Sequence, residues 1–312
     1  MMTTDSIGVD ISKDFLDVHR QRDGAAARFP NTPAGFRALP KWLGEDVPSM
    51  VVFEATGPYH GRFERTFSGK LPLVKVNPLQ ARRFAQACGT RVKTDAVDAR
   101  VLANMGSALA LEPDQPLGEK QYELKELFAA RGALIRDRTR LINRLQTQSL
   151  TLVQRQSKAR IDQITRQLKA LQQDINTRVQ DSPVRARANT ILRSIPGIGI
   201  VAAATILIEM PEIGTLDKKR AASLTGLAPM TRQSGKWRGK ATIQGGRKHL
   251  RDALYMPALV AARFNPDMRD KYTAMIDQGK PQKVALTAIM RKLIELANTL
   301  VKADREWDPK QT

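Results

Sequence analysis

The chain has 312 residues, 42% of them hydrophobic, and carries 51 Lys and Arg against 31 Asp and Glu, a formal net charge of +20. That length and apolar content exclude a disordered chain and suit two domains of ordinary size, while the charge points to a polyanionic partner, nucleic acid or a membrane surface. The longest apolar run, around Ile200 to Ile208, is too short to cross a bilayer, three histidines exclude a His-rich metal site, the first ten residues lack a signal-peptide pattern, and one cysteine, Cys88, excludes an internal disulfide and fits a reducing cytoplasm.

In chain order, SIGVDISKDFLDVHRQRDG alternates apolar and polar residues up to a turn signal at Asp23-Gly24, and ARFPNT returns, so the stretch reads as a β-hairpin. TPAGFRALPKWLG reads as a short helix limited by Pro40. SMVVFEATG is a compact apolar strand ending in Glu54 and Gly57, HGRFERTFSGK a helix, LPLVKVNP a strand stopped by Pro78, and LQARRFAQACG a helix. TDAVDARVLANMGSALA begins a further helix with Thr94 as N-cap. Strands followed by alternation with helices predict an α/β domain over residues 1–118.

Residues 119–188 read as a helical arm. Leu127, Leu134 and Leu141 recur every seven residues, and Ile161, Ile164, Leu168, Leu171 and Ile175 step by three and four. These heptad-like stripes lie on arginine-rich helices and predict an antiparallel helical hairpin or a coiled coil used in dimerisation. Residues 189–312 read as a mainly helical domain around a basic loop, 231–248. Its opening, RSIPGIGIVAAATILIEM, resembles a helix–hairpin–helix element, in which Gly197 and Gly199 let backbone N–H groups approach a phosphate; a plain glycine turn between packed helices is the other reading. The fold class is therefore α/β followed by α.

Charge is unevenly placed. Residues 1–118 hold 15 basic and 13 acidic residues, residues 131–193 hold 14 and 4, and residues 218–251 hold ten basic and no acidic residues. The second and third regions form an electrostatic surface for phosphates, whereas the first keeps its carboxylates. Two of these, Asp95 and Asp98, share one helix face by their spacing. Asp10 lies inside the first apolar strand, where a charge is costly without a purpose. With Glu54 they make a set that can hold two Mg²⁺ ions about 3.5–4 Å apart for phosphoryl transfer. Singly, each has a plainer reading: Asp98 paired with Arg91 or Arg100, Asp95 favoured by the helix dipole, Glu54 in a turn.

The quartet in IGVDISK, FEATGPY and KTDAVDAR resembles that of the DEDD-type transposases of bacterial insertion sequences, and the likeness continues in order through SIPGIG, LTGLAP, QSGKWRGKATIQGGR and LRDALYMPAL. The resemblance implies a ribonuclease H-like, RuvC-like first domain, a helical coiled-coil arm, and a C-terminal transposase domain. It implies that Asp10, Glu54, Asp95 and Asp98 bind Mg²⁺ and that Ser234, in Gln-Ser-Gly, is a nucleophile. It further implies RNA-guided site-specific DNA recombination, directed by a structured non-coding bridge RNA that pairs with donor and target DNA. The assembly it implies is a dimer pairing into a tetramer, with no role for a membrane.

Lys236, Arg238, Lys240, Arg247 and Lys248 follow Ser234 closely and are expected to hold nucleic-acid phosphates. Read without the resemblance, Ser234-Gly235 is a turn dipeptide. The alternative function is a metal-dependent, structure-specific nuclease or Holliday-junction resolvase in which water attacks. Tyr59, near Glu54, is a further conceivable nucleophile, and Tyr255 reads as core.

Overall fold

The computed structural model describes residues 5–309 except 56, 58, 91, 93, 232 and 236, in two compact units that divide between Tyr122 and Glu123. In the first unit the stretch read as a single strand before Asp23 is already a hairpin. Strands β1 (Ser6–Ile11) and β2 (Phe15–Arg20) meet at Ser12, whose hydroxyl donates to the Phe15 carbonyl at 2.9 Å and accepts from the Phe15 N–H at 3.0 Å. The Asp23-Gly24 turn, with Gly24 at φ +70 and Asp23 accepting from the Ala25 N–H, leads instead to β3 (Ala26–Pro30).

Helix α1 (Pro33–Leu43) runs through Pro40, against the expectation that Pro40 limits it. Pro40 lies on the exposed face near the helix end, so its missing N–H costs little, while Leu39 and Leu43 hold the helix to the core. Strand β4 (Met50–Glu54), helix α2 (His60–Phe67), strand β5 (Leu73–Val76), helix α3 (Pro78–Ala87) and helix α4 (Asp95–Leu109) complete the alternation. The strand order is β3-β2-β1-β4-β5, with β1 antiparallel to β2 and parallel to β4.

The pleat divides this sheet into two faces. Ile7, Val9, Ile11, Val51 and Phe53 join Phe36, Leu39, Phe63 and Phe67 of α1 and α2 in one core. On the other face Met50, Val52, Val74 and Val76 meet Leu102 and Met105 of α4. Here α4 crosses β1 almost backbone to backbone: a Cβ placed on Gly8 would lie 1.9 Å from the Ala99 carbonyl oxygen, and one on Gly106 would lie 2.4 Å from the Ser6 hydroxyl.

The second unit is helical apart from short strands. Helices α5 (Glu119–Leu145) and α6 (Thr151–Gln180) are long, followed by α7 (Pro183–Ser194), α8 (Ile200–Glu209) and α9 (Lys218–Leu224). Strands β6 (Pro229–Met230), β7 (Gln233–Ser234), β8 (Trp237–Arg238) and β9 (Thr242–Ile243) come next, then α10 (Lys248–Ala253), α11 (Tyr255–Phe264), α12 (Pro266–Asp277) and α13 (Gln282–Lys302). Its core gathers Ala203, Ile206 and Ile208 of α8 around Ile289, Leu293, Ile294 and Ala297 of α13. Leu124, Ile175 and Val179 anchor α5 and α6 in that core, whereas Leu134, Leu141, Ile161 and Ile164 farther along are only half-buried.

The stretch from Leu250 to Phe264 is divided between α10 and α11, and Tyr255, read as core, is exposed. Leu250, Leu254, Ala258 and Ala261 fill the buried stripe at helical spacing, which leaves Tyr255 on the outer face.

The Gly8 contact gives a stability test. Gly8→Ala forces α4 off the sheet and lowers unfolding free energy by about 2 kcal/mol or more in urea titrations. Gly61→Ala, in α2 with nothing within 4 Å of its added Cβ, is expected to leave stability unchanged or raise it.

Candidate active site

Asp10, the fifth residue of β1, lies beneath the helix that carries the acidic pair, and the sheet register shows how. In antiparallel pairing Asp10 stands opposite Asp17 and Asp17 opposite Arg28, so the three share one face across β1, β2 and β3. In the parallel pairing Val9 stands beside Phe53, so the next residues, Asp10 and Glu54, lie at the same end of the two strands, Glu54 as the last residue of β4. Helix α4 covers this face with Gly106 at Ser6 and Ala99 at Gly8. It therefore runs opposite to β1, and its first turn, Asp95 to Asp98, arrives over Asp10. Thr94 caps that turn by accepting from the Val97 N–H at 3.3 Å, as the sequence predicts, and the helix dipole favours both carboxylates.

The electrostatics report the same convergence. The Asp10 carboxyl is pushed up to about 6, first by burial and then by Asp98, Asp95, Glu54 and Asp17. Among the described residues no group of three or more carboxylate, imidazole or thiol side chains stands ready-made to hold a metal ion. Asp10 is thus close enough to the other carboxylates to feel their charge, while the side chains do not converge on a common point. The donor chemistry, hard oxygens from a strand, a strand end and a helix, fits a divalent cation such as Mg²⁺.

Asp17 and Arg28 were not singled out by sequence reasoning. Arg28 donates to both Asp17 oxygens, at 2.9 and 3.0 Å, and to Asp95 at 3.4 Å, with its guanidinium 5.2 Å from the Phe15 ring centroid. Asp17 is buried, and this bidentate pair gives both its carboxylate oxygens a donor. The signal available in the sequence was a lone aspartate inside the alternating run FLDVHR; its arginine partner needs the strand register.

Ser234 lies in the second unit, on an arm made of two nested ladders. β6 pairs with β9 at its base, and β7 with β8 at its tip, where Gly235 turns the chain at φ +54. Ser234, Arg238 and Lys240 are exposed there; Lys236 lies outside the described residues. The arm is anchored by close backbone contact: Gly246 approaches Gly226 so nearly that an added Cβ would sit 2.1 Å from the Gly226 nitrogen.

Arg247 is committed to that anchor. It donates to both Glu212 carboxylate oxygens and to the Glu209 carbonyl at 2.6–2.9 Å. Burial raises the Glu212 carboxyl, but the Arg247 bonds outweigh it and hold it below its ordinary value. Lys248 is exposed and pairs with Asp252. Gly197, at φ +108, packs against Pro257 and Ala261 of α11, so packing explains its glycine; Gly199 has open space around its α-carbon. Tyr59 is exposed. A groove of the first unit, between α1 and α2, is lined by Phe36 and Phe67 and lies on the sheet face opposite the carboxylates.

Comparison with known proteins gives a consistent picture. A DEDD-type transposase model of the IS110 group matches residues 7–153, and the model described as transposase IS116/IS110/IS902 family matches residues 189–273. The mixed five-stranded sheet is consistent with the ribonuclease H-like domain of such proteins. The pilin gene-inverting protein of Moraxella bovis is 28% identical over 325 aligned positions, covering 98% of each chain. An uncharacterised 43.6 kDa protein of insertion element IS110 from Streptomyces coelicolor is 31% identical over 133 residues, 42% of this chain and 32% of that one.

The raised Asp10 carboxyl carries a pH signature. Its folded value of about 6 exceeds the ordinary 3.8, so the folded chain keeps a proton that the unfolded chain has lost, and stability falls as pH rises across that window. In chelator-treated buffer Asp10→Asn is expected to be more stable than the parent at pH 7.5, by roughly 1 kcal/mol after solvent screening. The difference should vanish near pH 3.5. Parallel stability–pH curves for the two proteins would contradict the clustering.

Proposed function

Since the chain belongs to the IS110-type family of DEDD transposases and is a DNA transposase or recombinase, we propose that it exchanges DNA strands through Ser234, assisted by divalent cations held by Asp10, Glu54, Asp95 and Asp98. The observation that carries this reading is the crossing of α4 over β1 at Gly8, which brings the first turn of α4 over Asp10, whose carboxyl is raised by burial and then by Asp98, Asp95 and Glu54. Bound Mg²⁺ would supply Lewis-acid polarisation of a phosphoryl oxygen and charge stabilisation at the attacking and leaving oxygens.

The chain's own groups account for the rest. The Ser234 hydroxyl attacks phosphorus, its Oγ–P bond forms as the bond to a deoxyribose oxygen breaks, and the serine proton ends on that leaving oxygen. The exposed tip of the arm gives Ser234 access to a DNA backbone without unfolding, and Arg238 and Lys240 beside it favour the phosphate. The name of the Moraxella relative, an inverting protein, supports exchange of strands over simple cleavage. We extend the reading to a structured bridge RNA that selects donor and target DNA and to a tetramer built from dimers, supported by the basic composition of residues 131–193 and by the half-buried leucine stripes of α5 and α6.

Trapping the reaction and digesting the protein should leave a nucleotide phosphate on the peptide containing Ser234. Ser234→Ala should bind DNA normally yet lose cleavage and adduct by at least about a thousandfold. Cleavage by Ser234→Ala at the parental rate would make water the nucleophile and favour the resolvase-like alternative.

A further inference from the structure

The arm that carries Ser234 also carries apolar side chains that nothing in the fold covers. Trp237, Met230 and Ile243 are all exposed, Trp237 by 59%, on a ribbon that contributes none of them to the core. Exposed apolar residues are common singly, but a tryptophan is the largest area a chain can leave in water, and here it stands among others. Trp237 is the direct cross-strand partner of Ser234, so the two side chains rise from the same face of the ribbon with their Cβ atoms roughly 5 Å apart.

The surrounding charge selects what lies on this face. Residues 218–251 include ten Lys and Arg and no Asp or Glu. A second copy of the same arm would be repelled, and a purely apolar partner would leave the cations unused. A flat π-face inside a field of one sign matches an unpaired nucleobase whose backbone phosphates meet the neighbouring lysines and arginines. We propose that Trp237 is a stacking platform for an unpaired base of a nucleic-acid strand, and that it seats the nucleotide next to Ser234. That the stacked base belongs to the strand attacked by Ser234 rests on the function proposed above; the stacking itself does not.

Duplex DNA hides its base faces in the stack, so the platform calls for a strand that is single or locally opened. In this position Trp237 is a positioning residue: it orders the sugar–phosphate step beside the serine without touching the phosphorus. Because stacking removes no charge, its loss should shift affinity without changing the salt dependence, which is set by the phosphate contacts.

The test is intrinsic fluorescence of the full chain titrated with oligothymidylate, oligouridylate and a blunt DNA duplex. Quenching is expected with the single strands and little with the duplex; the stronger of the two single strands identifies the source as DNA or RNA. Trp237→Phe should lose the quenching, which Trp42 and Trp307 do not supply, and bind nearly as the parent. Trp237→Ala should bind the preferred strand about five- to a hundredfold more weakly with an unaltered salt slope and an unaltered melting temperature. Ser234→Ala should quench like the parent whatever its effect on cleavage, so the platform and the serine nucleophile fail separately. Equal binding by Trp237→Ala, quenching that persists in Trp237→Phe, or a fall in oligomeric mass on Trp237→Ala, which would make the face an interface between copies, each overturns the proposal.

Discussion

The first unit depends on one close approach, that of the α4 backbone to β1 at Gly8. No side chain fits between them, because a Cβ at Gly8 would overlap the Ala99 carbonyl oxygen and stand 2.5 Å from the Ala103 nitrogen. The helix face that meets the sheet is correspondingly small: Ala99, Ala103 and Gly106. Close packing of this kind fixes the helix along its axis as well as against the sheet. It thereby decides where the first turn of α4 falls, and the carboxylates of Asp95 and Asp98 are placed near Asp10 by contacts made one to three turns away. Acidity at the site is thus built by apolar and backbone packing outside it.

The same geometry explains how a basic chain tolerates an acidic cluster. The first 118 residues are nearly neutral, with 15 basic and 13 acidic residues, so the positive excess is carried by the rest of the sequence. Within the cluster, compensation is local and incomplete. Arg28 is held to Asp17 by two bonds and reaches Asp95 only at 3.4 Å, while the helix start favours Asp95 and Asp98 through its exposed N–H groups. Asp10 has burial and four carboxylates against it and stays elevated. That elevation of Asp10 is the ground on which the site is proposed as a receptor for cations.

Much of this was legible in the sequence because it is carried by short-range pattern. Strand alternation, the Thr94 cap and the i, i+3 spacing of Asp95 and Asp98 each follow from local rules, and they place the acidic residues on their elements. What local rules do not carry is register. The break at Ser12, which turns one apparent strand into a hairpin, decides that Asp10 faces Asp17 and that Asp17 faces Arg28. Local rules also do not carry packing partners: a basic residue in a basic loop and a glycine in a glycine-rich turn give no sign of them, and the fold shows Arg247 bonded to Glu212 and Gly197 packed on α11. Tyr255 is a further case, since an aromatic in an apolar run faces outward once Leu254 and Ala258 have taken the buried stripe.

The central claim is that the α4 crossing brings Asp10, Glu54, Asp95 and Asp98 into one cation-binding centre. Anomalous scattering from crystals of the full chain grown with Mn²⁺ tests it most directly. The account predicts Mn²⁺ bound between the ends of β1 and β4 and the first turn of α4, and lost in Asp98→Asn while the fold is retained. A protein that cleaves DNA with Mn²⁺ yet shows no ion at these carboxylates would contradict it.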